Sequence, residues 1–334
     1  MAARSLSLAI PTYNRPDILE ENLLAMRGAL ERLAIEVHVL DDSSDDATAA
    51  AMARLATTTQ IKLRYRHNQP PLRHDANLIA ALATPCTDFV WLLGDGCVID
   101  DAGLQTVQDA LQDQDFVFVN SRDGPAPAAE PRLRDAPARR FIAERAWDFS
   151  YTGATIYSRR VIDWWRADPA HQPHANFPQL SVVLGYLASG ARVSLSWVAQ
   201  RVVRNHPRKK QSYWLASAIS VWAGDWHRVI TANAAAIEPE YLASVLRSHS
   251  RHTRILGLKH LLVLRAAGLF DADALVRHGH ELAAASSAGG LGVRTVAALP
   301  RPVAGALVAA RPSWRRRYLP PPERPTSNRP SPAP

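Results

Sequence analysis

The strongest constraint on this chain is a pattern used three times in its first hundred residues: a short apolar run that ends in polar residues. Leu6-Ser7-Leu8-Ala9-Ile10 leads into Pro11-Thr12-Tyr13-Asn14-Arg15. Ile35-Glu36-Val37-His38-Val39-Leu40 leads into Asp41-Asp42-Ser43-Ser44, and Phe89-Val90-Trp91-Leu92-Leu93 leads into Gly94-Asp95-Gly96-Cys97. Runs this short and apolar read as buried strands. In an open α/β sheet the carboxyl ends of such strands border the ligand crevice.

Between the runs the apolar period changes to that of a helix. Ile18, Leu19, Leu23, Met26, Leu30 and Leu33 predict one helix over 17–33. Further helices are expected over 47–55, 75–82 and 101–111, with strands over 61–65 and 116–120. This alternation is the signature of a parallel sheet. Residues 124–137, rich in Pro, Ala and charge, read as a mobile loop beside the cleft. A strand is expected over 154–157, a helix from 161, and β structure over 191–203. From 214 the pattern is helical to about 310, with breaks near Pro239, Gly268 and Gly289-Gly290. The expected organisation is a domain over 1–230, a helical basic region over 231–318 and a disordered proline-rich tail over 319–334.

Composition narrows the class. At 47% apolar the chain can bury a sizeable core. Cys86 and Cys97 offer no disulfide framework, and Met1-Ala2-Ala3-Arg4 runs straight into the first apolar stretch, so a reducing cytoplasm is expected. No run approaches the roughly 18 apolar residues of a membrane span. The charge of +8 is uneven: residues 251–334 hold thirteen Arg and Lys against four Asp and Glu. A basic end on a near-neutral body calls for an anionic partner. No nucleic-acid motif accompanies it, and arginines interspersed with Leu291, Val293, Val303, Leu307, Trp314 and Tyr318 suit an anionic membrane surface.

The order and spacing of Pro11-Thr12-Tyr13-Asn14-Arg15, Asp41-Asp42-Ser43-Ser44 and Trp91-Leu92-Leu93-Gly94-Asp95 resemble the nucleotide-sugar domain of family 2 glycosyltransferases. The likeness covers residues 5–100 most closely and extends to about 230. It implies a GT-A (Rossmann-like) α/β fold with a mostly helical C-terminal region. It also implies glycosyl transfer from a nucleotide-diphospho-sugar, with inversion, to a glycan or lipid-linked acceptor of bacterial surface polysaccharide synthesis. The enzyme is then expected in the cytoplasm, peripheral on the inner face of the membrane.

The resemblance assigns roles residue by residue. Pro11, Tyr13, Asn14, Arg15, Asp42, Arg73, Asn77, Gly94 and Asp95 would bind the nucleotide sugar, with Asp42 on the nucleoside. Read from the residues alone, the segment 73–78 is a surface Arg73 and an Asp75 that caps the helix. Tyr151, Gly153 and Gln179 would lie on the acceptor side. Arg204, Arg208, Lys209 and Lys210 would fold over the diphosphate. Asp95, His174 and Arg204 are the catalytic candidates; the stretch Asn176-Phe177-Pro178-Gln179-Leu180-Ser181 has no carboxylate, so the base is sought among His174, His171 and Asp168, and a neutral histidine suits that task near pH 7.

One departure matters. Relatives carry further acids where this chain has Gly96 and Cys97. Mg²⁺ or Mn²⁺ needs oxygen ligands, and a thiol is a poor substitute. Asp95 is the one metal position left, so metal dependence is expected to be weak or absent, with basic residues supplying the charge. The same departure motivates a rival reading, a non-catalytic glycosyltransferase-like subunit that binds nucleotide or glycan and docks a partner enzyme. Seven tryptophans between Trp147 and Trp226 offer either sugar-stacking faces or core.

Overall fold

The computed structural model describes residues 4–122, 132–208, 217–311, 313, 314 and 318. They form two compact units. One takes the described residues up to 208 together with 228–248; the other takes 217–227 and the described residues from 249 onward. This division crosses the boundary expected at residue 230.

The sheet unit begins with β1 (Leu6–Thr12), α1 (Pro16–Ala25), α2 (Arg27–Arg32), β2 (Glu36–Asp41), α3 (Ala47–Thr58), β3 (Lys62–His67), α4 (His74–Ala83) and β4 (Phe89–Leu92). It continues through β5 (Cys97–Ile99), α5 (Asp101–Ala110), β6 (Phe116–Asn120), β7 (Arg132–Arg134), α6 (Asp135–Phe149) and β8 (Thr155–Ser158). Then come α7 (Arg159–Ala167), α8 (Pro178–Ala188), β9 (Ser194–Arg201) and β10 (Val203–Asn205).

Eight strands lie in the order β3-β2-β1-β4-β8-β6-β9-β7, and β5 pairs with β10 in a small antiparallel ribbon. β3, β2, β1 and β4 run parallel, while β8 is antiparallel to both of its neighbours. From β1 the chain moves outward to β2 and β3, then returns to the other side of β1 as β4. Such a reversal opens a crevice at the carboxyl ends of β1 and β4. Every residue of β4 is buried, and β1 is buried except at Pro11. The edge strand β3 exposes Lys62, Arg64 and Arg66, which discourages pairing with another chain.

The structure corrects several expectations. The helix over 17–33 is two helices broken at Met26 (φ −94°, ψ −3°), which ends α1 and precedes α2. The bend keeps Leu19, Leu23, Met26 and Leu30 all in the core. Residues 132–137, expected in a loop, form β7 and the start of α6; Leu133 and its neighbours pair with β9. Residues 124–131 lie outside the described residues. Trp147, Trp165, Trp197, Trp222 and Trp226 are buried, so these faces serve the core, and Trp164 packs edge-on against Tyr186. Trp214 lies outside the described residues.

In the second unit the chain forms a π-helical turn over Ser220–Asp225. Two helices, α9 (Trp226–Ala232) and α10 (Pro239–Thr253), run across the unit boundaries. α11 (Leu258–Ala267), α12 (Ala272–Ala285), α13 (Gly289–Ala298) and α14 (Arg301–Ala309) complete it. Leu261, Val263, Leu264, Phe270 and Leu282 are among its buried apolar residues, and His249 stacks on Trp222 at 3.5 Å. Among the described residues no single helix is long and apolar enough to cross a membrane.

Candidate active site

The turns after β1 and β2 are sewn together by side chains. The Asn14 amide N–H donates to Ser43 Oγ (2.8 Å), and Asn14 Oδ1 accepts from the Ser44 amide (3.1 Å). Asn14 holds φ +52°, a conformation that asparagine tolerates better than most side chains. Tyr13, in the turn after β1, is 60% exposed, an open aromatic face at the carboxyl edge of the sheet. Pro11 ends the buried run and is half-buried.

Asp41 and Asp42 have separate duties. Asp41 is fully buried, and its oxygens accept from Ser43 and from Tyr65 Oη (2.8 Å). Asp42 is 4% exposed. Its Oδ1 accepts from Asn68 Nδ2 (2.7 Å) and the Leu72 amide (3.2 Å). Its Oδ2 is buried and accepts from no group of the described protein. A buried carboxylate oxygen without a donor is costly, and a ligand N–H or O–H would satisfy it. Asn77, expected on the nucleotide, is spent inside the protein: Nδ2 donates to the Leu40 carbonyl (3.1 Å) and Oδ1 accepts from Asn68 (3.0 Å). It holds Asn68, which holds Asp42. Arg73 is exposed at the start of α4 with φ +69°.

Asp95, just beyond β4, is held from β1 and α1. Thr12 Oγ1 donates to Oδ2 (3.2 Å), Arg15 Nη1 lies 2.9 Å from Oδ1, and Asn22 Nδ2 donates to the Asp95 carbonyl (2.6 Å). The Gly96 carbonyl accepts from the His206 amide (2.8 Å), which ties the basic loop to this segment. Cys97 turns inward: its Sγ lies 3.3 Å from Tyr151 Oη and 3.4 Å from the Thr152 carbonyl. Tyr151 Oη also donates to Asn205 Oδ1 (3.0 Å). Burial first, and the Cys97 thiol beside it, push the Tyr151 phenol well above its ordinary range. Gly153 (φ +111°) closes this turn, and a Cβ there would sit 3.4 Å from Cys97 Sγ.

These positions decide whether the residues fit a divalent ion. Both Asp95 carboxylate oxygens are engaged by the protein, Gly96 brings no ligand, and the Cys97 thiol faces Tyr151. Among the described residues no group of three or more His, Cys, Asp and Glu side chains converges on a common point. The donor set does not fit Mg²⁺ or Mn²⁺, which take several oxygen ligands.

The expected diphosphate cations are largely committed to carboxylates. Arg204 lies 3.5 Å from Asp100, and Arg208 lies 2.6 Å from Glu21, which His206 also contacts at 2.9 Å. The Arg208 hydrogen bond leads in holding the Glu21 carboxyl below its ordinary value. Lys209 and Lys210 lie outside the described residues.

Gln179, expected on the acceptor side, is 4% exposed; Nε2 donates to the Ser150 carbonyl (2.6 Å), and Oε1 is buried with no partner among the described residues. His174 is half-buried, and burial followed by the Arg228 charge lowers its pKa, keeping the imidazole neutral near pH 7. Asp75 does not cap α4; its Oδ2 accepts from the Asn176 amide (3.0 Å) and its Oδ1 meets His74 at 2.7 Å. The fold thus brings a carboxylate to the stretch that has none of its own.

Thr12, Asn22, Glu21, Asn68 and His206 also support the site, beyond the residues expected from the sequence. Thr12 and His206 lie within or beside motifs already singled out, whereas Asn22, Glu21 and Asn68 carry no local signal, because their partners are distant in the chain.

Residues 7–163 match the family model described as glycosyl transferase family 2. Abequosyltransferase RfbV of Salmonella typhimurium is 28% identical over 118 residues, 35% of this chain and 35% of that protein. The match therefore spans about a third of that relative's length. Residues 1–349 of S. aureus TarS, solved with UDP-GlcNAc, superpose with a TM-score of 0.59 at 16% identity, over 93% of this chain and 92% of that fragment. The mannosyltransferase PcManGT from Pyrobaculum calidifontis, solved with GDP-Man and Mn²⁺, gives 0.55 at 16% identity, over 95% and 83%. At these identities the structural likeness concerns the fold. Residues 7–163 thus match the glycosyl transferase family 2 model, and the structural likeness gives the chain a GT-A fold.

Proposed function

We propose that this chain transfers a glycosyl group from a nucleotide-diphospho-sugar to a glycan or lipid-linked acceptor in surface polysaccharide synthesis, with inversion at the sugar. The observation that carries the reading is Asp42 Oδ2, a buried acceptor with no donor among the described residues, at the carboxyl end of β2. The N–H edge of a base or a ribose hydroxyl supplies that donor. Tyr13, in the turn after the neighbouring strand β1, supplies an exposed ring. Family membership and the abequosyltransferase relative support the reaction class.

On the acceptor side the unpartnered Gln179 Oε1 suits a sugar hydroxyl, and neutral His174 is the candidate base. A thermal-shift screen across nucleoside diphosphates and nucleotide sugars tests the reading: a selective binder raises the melting temperature by mass action. A flat response across all of them removes it.

The helical unit supports a location on an anionic membrane surface. Leu291 is 82% exposed on α13, Val303 and Leu307 are each 47% exposed on α14, and Arg294, Arg301 and Arg311 are exposed alongside. Each basic residue near such a surface is worth about 1 kcal/mol. Reversing all three to Glu should release the protein from anionic vesicles at low salt, and unchanged co-sedimentation would remove this location.

A further inference from the structure

We propose that Arg15, seated on Asp95, is the cation that holds the donor's diphosphate, in place of a divalent ion. The inference rests on the nucleotide-sugar reading above and deepens it. Three observations converge. Asp95 is 8% exposed; Thr12 Oγ1 donates to its Oδ2 while Asn22 holds its backbone carbonyl, and its Oδ1 lies against Arg15. The Arg15 side chain is 39% exposed, so the guanidinium keeps N–H groups open to solvent while one is bonded to Asp95. Among the described residues of the basic loop, Arg208 and His206 pair with Glu21 and Arg204 with Asp100, whereas Arg15 pairs with the strand-end carboxylate itself.

A guanidinium is built for this bridging task. It stays charged, and its planar fork bonds a carboxylate along one edge and a phosphate along another. A divalent ion would have to displace Arg15 from Asp95 and would find no second acid at Gly96 or Cys97. Here the carboxylate orients the cation, and the cation meets the phosphates. Asp95 is therefore a positioning residue rather than a metal ligand.

Calorimetry on the full chain with UDP, GDP, CDP and dTDP as probes, in EDTA and in Mn²⁺, tests this. The affinity of the best-bound diphosphate should change by no more than about threefold between the two buffers. Arg15→Ala should weaken it by about 10- to 100-fold, the range of a charge-assisted contact, in both buffers. Arg15→Lys should recover part of the loss, and the matching nucleoside without phosphates should bind all three proteins alike. A wild-type affinity that rises tenfold or more with Mn²⁺ overturns the proposal, and that measurement needs no variant to fold. So does Arg15→Ala binding as well as wild type. Failure of every diphosphate to bind wild type would remove the glycosyl-transfer reading itself, and this assignment with it.

Discussion

The sheet unit and the helical unit bury ionisable groups in opposite ways. In the sheet unit most buried carboxylates meet a cation. Asp148, fully buried, accepts from Arg122, Arg145 and Ser121, and Asp115, 2% exposed, accepts from Arg160, Tyr186 and Ser194. Asp95 meets Arg15, while Asp41 takes neutral donors. The helical unit instead buries His260 at 1% exposure with no charged partner among the described residues. Its Nδ1 accepts from the Leu256 amide, its Nε2 is unpartnered, and its ring stacks on Tyr318. Burial alone lowers its pKa to about 4. One unit needs its charges to stay on, and the other needs its histidine to stay neutral. Against the saturated carboxylates, the open Oδ2 of Asp42 stands out as an atom kept for a ligand.

The comparison breaks most readily at Asp148. Asp148→Ala strands Arg145, whose side chain is 18% exposed, and should cost about 3–5 kcal/mol of stability in urea melts. A loss below about 1 kcal/mol would mean the pairing is not structural.

Acid should act on the other unit. The folded value for His260 is about 4, against 6.5 for the ordinary imidazole. Between those values the unfolded chain binds the extra proton, so stability is complete above pH 6.5 and falls as pH drops towards 4. The loss reaches about 3 kcal/mol at the acid end. Hydrogen exchange should report it first in α11, and His260→Gln should flatten the pH profile. A pH profile that His260→Gln leaves unchanged would place the effect elsewhere.

Asp42→Asn separates recognition from architecture. The amide oxygen can still accept from Asn68 and Leu72, so melting should stay within about 1 kcal/mol of wild type. Nucleotide affinity should fall by about 1–3 kcal/mol, because an N–H donor now meets the ligand's donor. Unchanged affinity by calorimetry would show that Oδ2 faces no ligand. The smallest effect belongs to Gln179→Met, which should raise the acceptor KM by about 1 kcal/mol in binding terms and leave the donor KM alone. A change in donor KM instead would put Gln179 on the other substrate.

Strand ends mark themselves in the sequence by the change from an apolar run to Asp, Asn and Thr, so the positions of Thr12, Asp42 and Asp95 at the crevice follow from pattern alone. The break at Met26 is not legible in that way, because its apolar spacing suits a continuous helix as well as a bent one. β7 and α6 are obscured by the Pro- and Ala-rich composition before them, and pairing with β9 decides that region.

Local pattern is enough for the α/β alternation, the polar residues at the strand ends and the loss of acids at Gly96 and Cys97. These depend on neighbours a few residues away, where the periods of strand and helix are written directly. It takes the folded chain to seat Arg15 on Asp95, 80 residues along, and to bring Asp75 to Asn176, 101 residues away. Folding also settles that Asp42, and not Asp41, keeps an oxygen open. Satisfaction of a buried polar atom is a count over every donor in reach, and the fold alone brings those donors within reach.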